Sequence, residues 1–356
     1  VAGVLLFHAG FSWAVGGYLG VSTFFTLSGY LITTLLLAEH RRSGTVSLRA
    51  FWTRRFRRLM PASLVTLAAI VLLFGPFVAD PDQLAELPGD VISALLYVAN
   101  WRFILADTSY ADLFTAPSPV QHFWSLAIEE QYYLLFPLLT AGLLVVGKGS
   151  RRVLGGALAA LAALSTILMI VLHHPGTDTS RVYYGTDTRA VELLAGALFA
   201  VLITSRPDVL ARLPRQAWTA AGAVVLAITA FWWSTVEQQS SWLFEGGLTL
   251  YALTTVVLLA VILQPGPIQR AMAVEPLRLL GRVSYGVYLL HWPIFLWLTP
   301  ERTHLRAFPL LLLRLAVTFG AAALSFRYVE QPVRTRQALI SPRAWLVAPV
   351  AVLVLF

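Results

Sequence analysis

Few residues of this chain can hold or move a proton in an apolar setting, and they cluster in short segments. His8 lies in LLFHAG. Imidazole titrates near neutrality, so His8 suits general-base chemistry; the plainer alternative is a neutral ring bonded to a backbone carbonyl. The segment HFWSLAIEEQYYLLFP, residues 122–137, places two adjacent carboxylates at the head of an apolar run. On a helix, positions three and four apart share a face. His122, Ser125, Glu129, Tyr132 and Tyr133 then form one polar stripe, and Glu130 points about 100° away, toward Leu126 and Leu134. Such a stripe either locks helices together or supplies a carboxylate that orients a catalytic imidazole.

Two further segments carry polar groups. GTDTRAVELLAG, residues 185–196, brings Asp187, Arg189 and Glu192 to the mouth of a helix, where they could pair among themselves. GRVSYGVYLLHWP, residues 281–293, sets Ser284, Tyr288 and His291 at i, i+4 and i+7, with Tyr285 beside them. HHPGTD, residues 173–178, spells His-x4-Asp, but it falls in a short loop and is read as chance. No phosphate-binding loop, dinucleotide-binding glycine pattern or His-based metal motif occurs, so no metal is expected. With no cysteine, thiolate catalysis, disulfides and Cys-ligated metals are excluded.

The basic segment SLRAFWTRRFRRLMP, residues 47–61, has a different logic. At helical spacing Leu48, Phe51, Trp52, Phe56 and Leu59 share a face, as in an interfacial amphipathic helix that binds anionic headgroups. Arg55 falls in the middle of that face and Arg58 at its edge. An inward Arg pair suits a phosphate-bearing ligand, because guanidinium binds phosphate in a bidentate fashion.

The elements that must position these groups are membrane helices. The chain is 58% hydrophobic and 12% charged, with a mean hydropathy of +0.72, too apolar for an ordinary soluble domain. Apolar runs predict helices at 1–15, 18–38, 60–78, 123–146, 153–172, 187–205, 217–234, 246–264, 283–298 and 307–328, with the start of an eleventh from 344. Residues 90–104 read as a re-entrant or interfacial piece in a long loop, 79–122. The expected fold class is all-α, a polytopic membrane protein of about ten spans. The expected organisation is one membrane domain over 1–343 and a truncated further helix over 344–356. Of the 26 Lys and Arg residues, 19 fall in alternate loops. That asymmetry makes those loops, and the N-terminus, cytoplasmic. The net charge of +8 is read the same way, without nucleic acid as a partner.

In order, LLFHAG, GVSTFFTLSGYLIT, FWTRRFRRLMPA, HFWSLAIEEQYYLLFP, GTDTRAVELLAGALFA, GRVSYGVYLLHWPIF and FRYVEQPVR resemble the bacterial membrane acyltransferase family 3 over nearly the whole chain. The resemblance implies a multi-pass enzyme of the bacterial plasma membrane. It implies transfer of an acyl group from a cytoplasmic acyl-CoA-type donor, acetyl-CoA foremost, to a hydroxyl of a cell-surface glycan or lipid-linked sugar, with no bound cofactor. It carries the catalytic role to His8, the Arg-x-x-Arg donor contact to Arg55 and Arg58, the W-S-L-x-x-E carboxylate to Glu129 and the Glu before Pro to Glu330. His122, Ser125, Glu130, Tyr133, Arg189, Ser284, Tyr288 and His291 are expected to form a supporting polar network. In some members of the family an extra helix leads to a hydrolase-like domain, which the apolar run from 344 would fit. Polar stripes in a bundle also suit a transporter or flippase, or a scaffold whose polar groups are structural. Release of free coenzyme A dependent on His8 separates these from an enzyme.

Overall fold

The computed structural model describes residues 1–105 and 117–335 of the chain. Among these, the regular structure is helical, with no strand. The principal helices are α1 (Ala2–His8), α2 (Leu19–Ser43), α3 (Leu48–Ala69), α4 (Pro81–Leu95), α5 (Ala99–Leu105), α6 (Phe123–Val146), α7 (Arg151–Leu172), α8 (Thr186–Ser205), α9 (Arg215–Thr235), α10 (Leu248–Ile262), α11 (Glu275–Trp297) and α12 (Ala307–Ser325). The predicted helix from 344 lies outside the described residues.

Several expectations change. The first helix stops at His8 rather than running to 15, because Gly10 takes a left-handed conformation (φ 79°) that breaks the helical ladder. The basic segment is not a separate interfacial helix. It is the first half of α3, which passes through Pro61 and continues by a π-type turn, Ile70–Phe74, to Phe77. The long loop holds two helices, α4 and α5. Helix α4 is set off by a reciprocal cap between Asp80 and Gln83 with Pro81 at its first position. Arg102 of α5 then grips Glu86 and Asp90 of α4 at 2.7 and 2.6 Å.

Seven helical stretches are long and apolar enough to cross a membrane, judged by length and composition. They are Ser12–Ser43, Leu48–Phe77, Arg151–Leu172, Thr186–Ser205, Arg215–Thr235, Leu243–Ile262 and Ala307–Arg334. The predicted ten is not reached among the described residues. Helix α1 is only seven residues long. Helices α6 and α11 have the length, 24 and 23 residues, but carry the polar stripes that the sequence pointed to.

The chain divides into two compact units. Among the described residues, one contains Val1, 49–105, 117–128 and 279–335; the other contains 2–48 and 129–278. In the second, α2 and α8 cross at backbone contact. A Cβ at Gly29 would collide with the Leu193 carbonyl, and one at Gly196 with the Thr26 carbonyl. Ser22, Thr26, Gly29 and Thr33 give α2 a buried small-residue stripe that permits this approach. Ser165 of α7 accepts the Val191 N–H at 2.9 Å and donates to the Thr188 carbonyl at 3.0 Å, tying α7 to the first turns of α8. In the first unit Arg314 of α12 donates to the Leu298 and Phe295 carbonyls, where a cation meets the negative end of α11.

Candidate active site

In the second unit, Glu129 is 2% exposed at the start of the apolar run of α6. Ser28 of α2 donates to its Oε1 at 2.7 Å, and Tyr133, one turn further along α6, donates to the same oxygen. Ser28 and Tyr133 are themselves in hydrogen-bond contact. The carboxylate is thus held by two hydroxyls, which keeps a buried charge tolerable. Glu130 is buried as well. His8 ends α1, half-buried, with its ring tilted against Phe7 at 5.2 Å. Phe7 in turn meets Tyr18 edge-on at 5.5 Å, and Tyr18 meets Tyr183 at 6.3 Å.

Beneath Tyr183 lies an ion pair that is almost wholly buried. Arg189 reaches Glu192 at 3.1 Å, the Ser22 hydroxyl at 3.0 Å and the Tyr183 carbonyl at 3.1 Å. Its guanidinium lies over the rings of Tyr183 and Phe25. Asp187 does not take part in this pair. It is held in a two-bond clasp by Arg181. Among the alternatives the sequence left open for this segment, the structure therefore selects the i, i+3 pair, because both side chains face α2 while Asp187 sits at the helix mouth.

The first unit brings together two of the other predicted groups. In α3, Phe51 and Leu59 are buried and Arg55 lies half-buried over the Phe51 ring at 5.7 Å. The expected apolar face is broken, since Phe56 is 38% exposed, and Arg58 is exposed rather than turned inward. Glu330, predicted from the Glu-Gln-Pro near the end, feels the charges of Arg58 and Arg334. It packs beside Gly286 of α11, where an added Cβ would stand 3.2 Å from Oε1. The Tyr285 hydroxyl donates to the Leu59 carbonyl at 3.1 Å, so α11 is pinned to the arginine-bearing part of α3. Ser284 is half-buried and donates to the Gly281 carbonyl of its own helix at 2.9 Å.

Further along α11, Tyr288 meets Ser125 at 2.6 Å and donates to the His122 carbonyl at 3.1 Å. His122 and His291 are buried with ring centroids 5.6 Å apart. The residues expected to form a polar network fall into two groups. Glu129 with Tyr133 and Arg189 with Glu192 belong to one unit, and His122, Ser125, Tyr288 and His291 to the other. Of the residues that spacing missed, Ser28 and Ser22 come from α2, distant in sequence, and Tyr183 from the short helix just before α8. Only the small-residue stripe of α2 hinted that a helix would pack closely there. Among the described residues no cluster of three or more His, Asp or Glu side chains could hold a metal ion.

A family model described as an acyltransferase domain matches residues 2–329. The peptidoglycan O-acetyltransferase OatA of Listeria monocytogenes is 40% identical over 339 residues, which cover 94% of this chain and 54% of that protein. The O-acetyltransferase OatA of Staphylococcus aureus is 34% identical over 342 residues, covering 94% of this chain and 56% of its own length. The chain thus spans about half the length of the curated relatives it matches. No solved structure matches it significantly.

Proposed function

This chain belongs to the acyltransferase family 3, and from that premise we propose that it is a multi-pass O-acyltransferase of the bacterial plasma membrane, with its N-terminus in the cytoplasm. Its donor is an acyl-CoA-type thioester, acetyl-CoA foremost, and its acceptor a hydroxyl of cell-wall glycan. The observation that carries this reading is the 40% identity to a peptidoglycan O-acetyltransferase over 94% of the chain.

The proposed roles follow the chemistry of each group. Arg55 and Arg58 hold the donor's phosphates; an exposed guanidinium at Arg58 is free to meet a ligand arriving from water. His8 accepts the proton of the acceptor hydroxyl as its oxygen attacks the thioester carbonyl. The C–S bond breaks, and the departing thiolate takes up a proton to become free coenzyme A. Glu129, fixed by Ser28 and Tyr133, supplies the negative charge that favours the imidazolium. The apolar surroundings keep water from the thioester. His122, Ser125, Glu130, Tyr133, Arg189, Tyr288, His291 and Glu330 keep the helices that carry these groups in register.

The test is chemical. Cell-wall glycan from a strain lacking the gene, and from the same strain complemented with it, is analysed by mass spectrometry for ester-linked acetyl groups. The reading requires those esters to vanish and return with the gene. Unchanged acetylation in the deletion strain overturns it.

A further inference from the structure

His122 has one nitrogen whose purpose the fold explains and one whose purpose it does not. Pro293 stands inside α11 and has no N–H, so the Leu289 carbonyl four residues earlier loses its helical partner. His122 Nε2 lies 2.9 Å from that carbonyl. A carbonyl can only accept, so Nε2 carries the proton and repairs the break. Nδ1 is then a bare lone pair. It is buried, and no hydrogen-bond partner meets it among the described residues.

The surroundings narrow what Nδ1 could hold. The rings of Phe123, Tyr288 and His291 stand 4.9, 5.7 and 5.6 Å from the imidazole. Tyr288 is already committed to Ser125 and to the His122 carbonyl, and His291 Nδ1 lies 2.5 Å from the Tyr288 carbonyl. Among the described residues the groups that act on His122 are His291 and the Leu289 carbonyl, neither of which balances an imidazolium or a metal cation. A neutral ring with a fixed acceptor lone pair remains, and its complement is a small neutral donor. Leu289 lies about 6 Å along the α11 axis from Tyr285, whose hydroxyl donates to the carbonyl of Leu59 on α3. His122 and the arginine-bearing part of α3 are thus both tied to α11, through Leu289 and Tyr285.

We infer that His122 Nδ1 is a built acceptor for a hydroxyl group enclosed against Phe123, Tyr288 and His291. The hydroxyl belongs either to the sugar acceptor or to a retained water. The sugar source rests on the function proposed above; the water source does not.

Nitrogen-15 spectra of the chain in lipid nanodiscs, with imidazole-labelled histidine, test this without relying on turnover. The His122 resonances are assigned by their loss in His122→Gln. The glutamine amide can reproduce the Nε2–H bond to Leu289 but offers no acceptor at Nδ1. Should that variant fail to fold, contact between Nε2 and carbonyl-labelled Leu289 assigns them in the unaltered chain. The expected result is an unprotonated Nδ1 shifted upfield by a hydrogen bond. A shift present from the start and sensitive to deuterium oxide assigns the hydroxyl to water. A shift that comes only with a soluble peptidoglycan fragment assigns it to the sugar. An Nδ1 that is protonated, or unprotonated and unshifted with and without the fragment, overturns the inference.

Discussion

Glu129 and Tyr133, one helical turn apart on α6, both bond the hydroxyl of Ser28 on α2. That triangle makes the carboxylate a fixed point, and it sets the first prediction. Glu129→Gln preserves shape and removes the charge. It should lower acetyl transfer at least tenfold while thermal unfolding in detergent shifts little. Ser28→Ala and Tyr133→Phe each leave one hydroxyl on the carboxylate, so each should cost less than Glu129→Gln. Because both act on one oxygen, their effects should couple rather than add. Additive losses in the double variant would show that the hydroxyls do not act through Glu129.

The Arg189–Glu192 pair predicts a large and asymmetric stability effect. Removing one partner of a buried pair strands the other charge, typically at about 3–5 kcal/mol. Arg189→Met should therefore lower the unfolding midpoint sharply. Arg189→Met combined with Glu192→Leu should recover most of that loss, because the double change leaves no unpaired charge. Equal instability of the single and double variants would place the importance of Arg189 elsewhere than in this pair.

The crossing of α2 and α8 depends on missing side chains. Gly29→Val forces the two backbones apart and should destabilise the chain by about 3 kcal/mol, near the upper end for overpacking. Gly142, on α6, meets open space, so Gly142→Ala should be neutral or stabilising by roughly 0.5–1 kcal/mol. Differential scanning fluorimetry in one detergent compares the two directly.

The arginines of α3 should differ in kind from these structural groups. Charge-assisted hydrogen bonds contribute about 1.5–3 kcal/mol, so Arg58→Ala should raise the donor Kd by roughly ten- to a hundredfold with little change in unfolding temperature. Arg58→Lys should recover only part of this, since an ammonium lacks the planar fork. Isothermal titration with a non-hydrolysable acyl-CoA analogue measures it. Unaltered donor affinity in Arg55→Ala/Arg58→Ala removes the phosphate role.

Where the sequence was informative, one helix's own periodicity carried the signal. Helix α6 was predicted over 123–146, the span it occupies, and its stripe foretold the burial of Glu129 and Tyr133. The i, i+3 spacing of Arg189 and Glu192 was likewise local. The misreadings arose where local pattern competes with backbone chemistry. Gly10 ended α1 early despite apolar flanks. Pro61 failed to separate the basic segment from the span that follows, because α3 runs through it. Ser28 could not be foreseen as the partner of Glu129, since 101 residues separate them and only the packing of α2 unites them. Arg58 turned outward because, on the helix that forms, Phe51 and Leu59 alone of the predicted face are buried.

The central claim is that the His8 imidazole drives thioester consumption. The most direct measurement is release of free coenzyme A from acetyl-CoA by the purified chain in proteoliposomes supplied with a peptidoglycan fragment, for the unaltered chain and for His8→Ala of matched unfolding temperature. A positioned base contributes about 10²–10⁴-fold, so release should fall by at least a hundredfold in the variant. Release at the unaltered rate from folded His8→Ala protein would contradict the account.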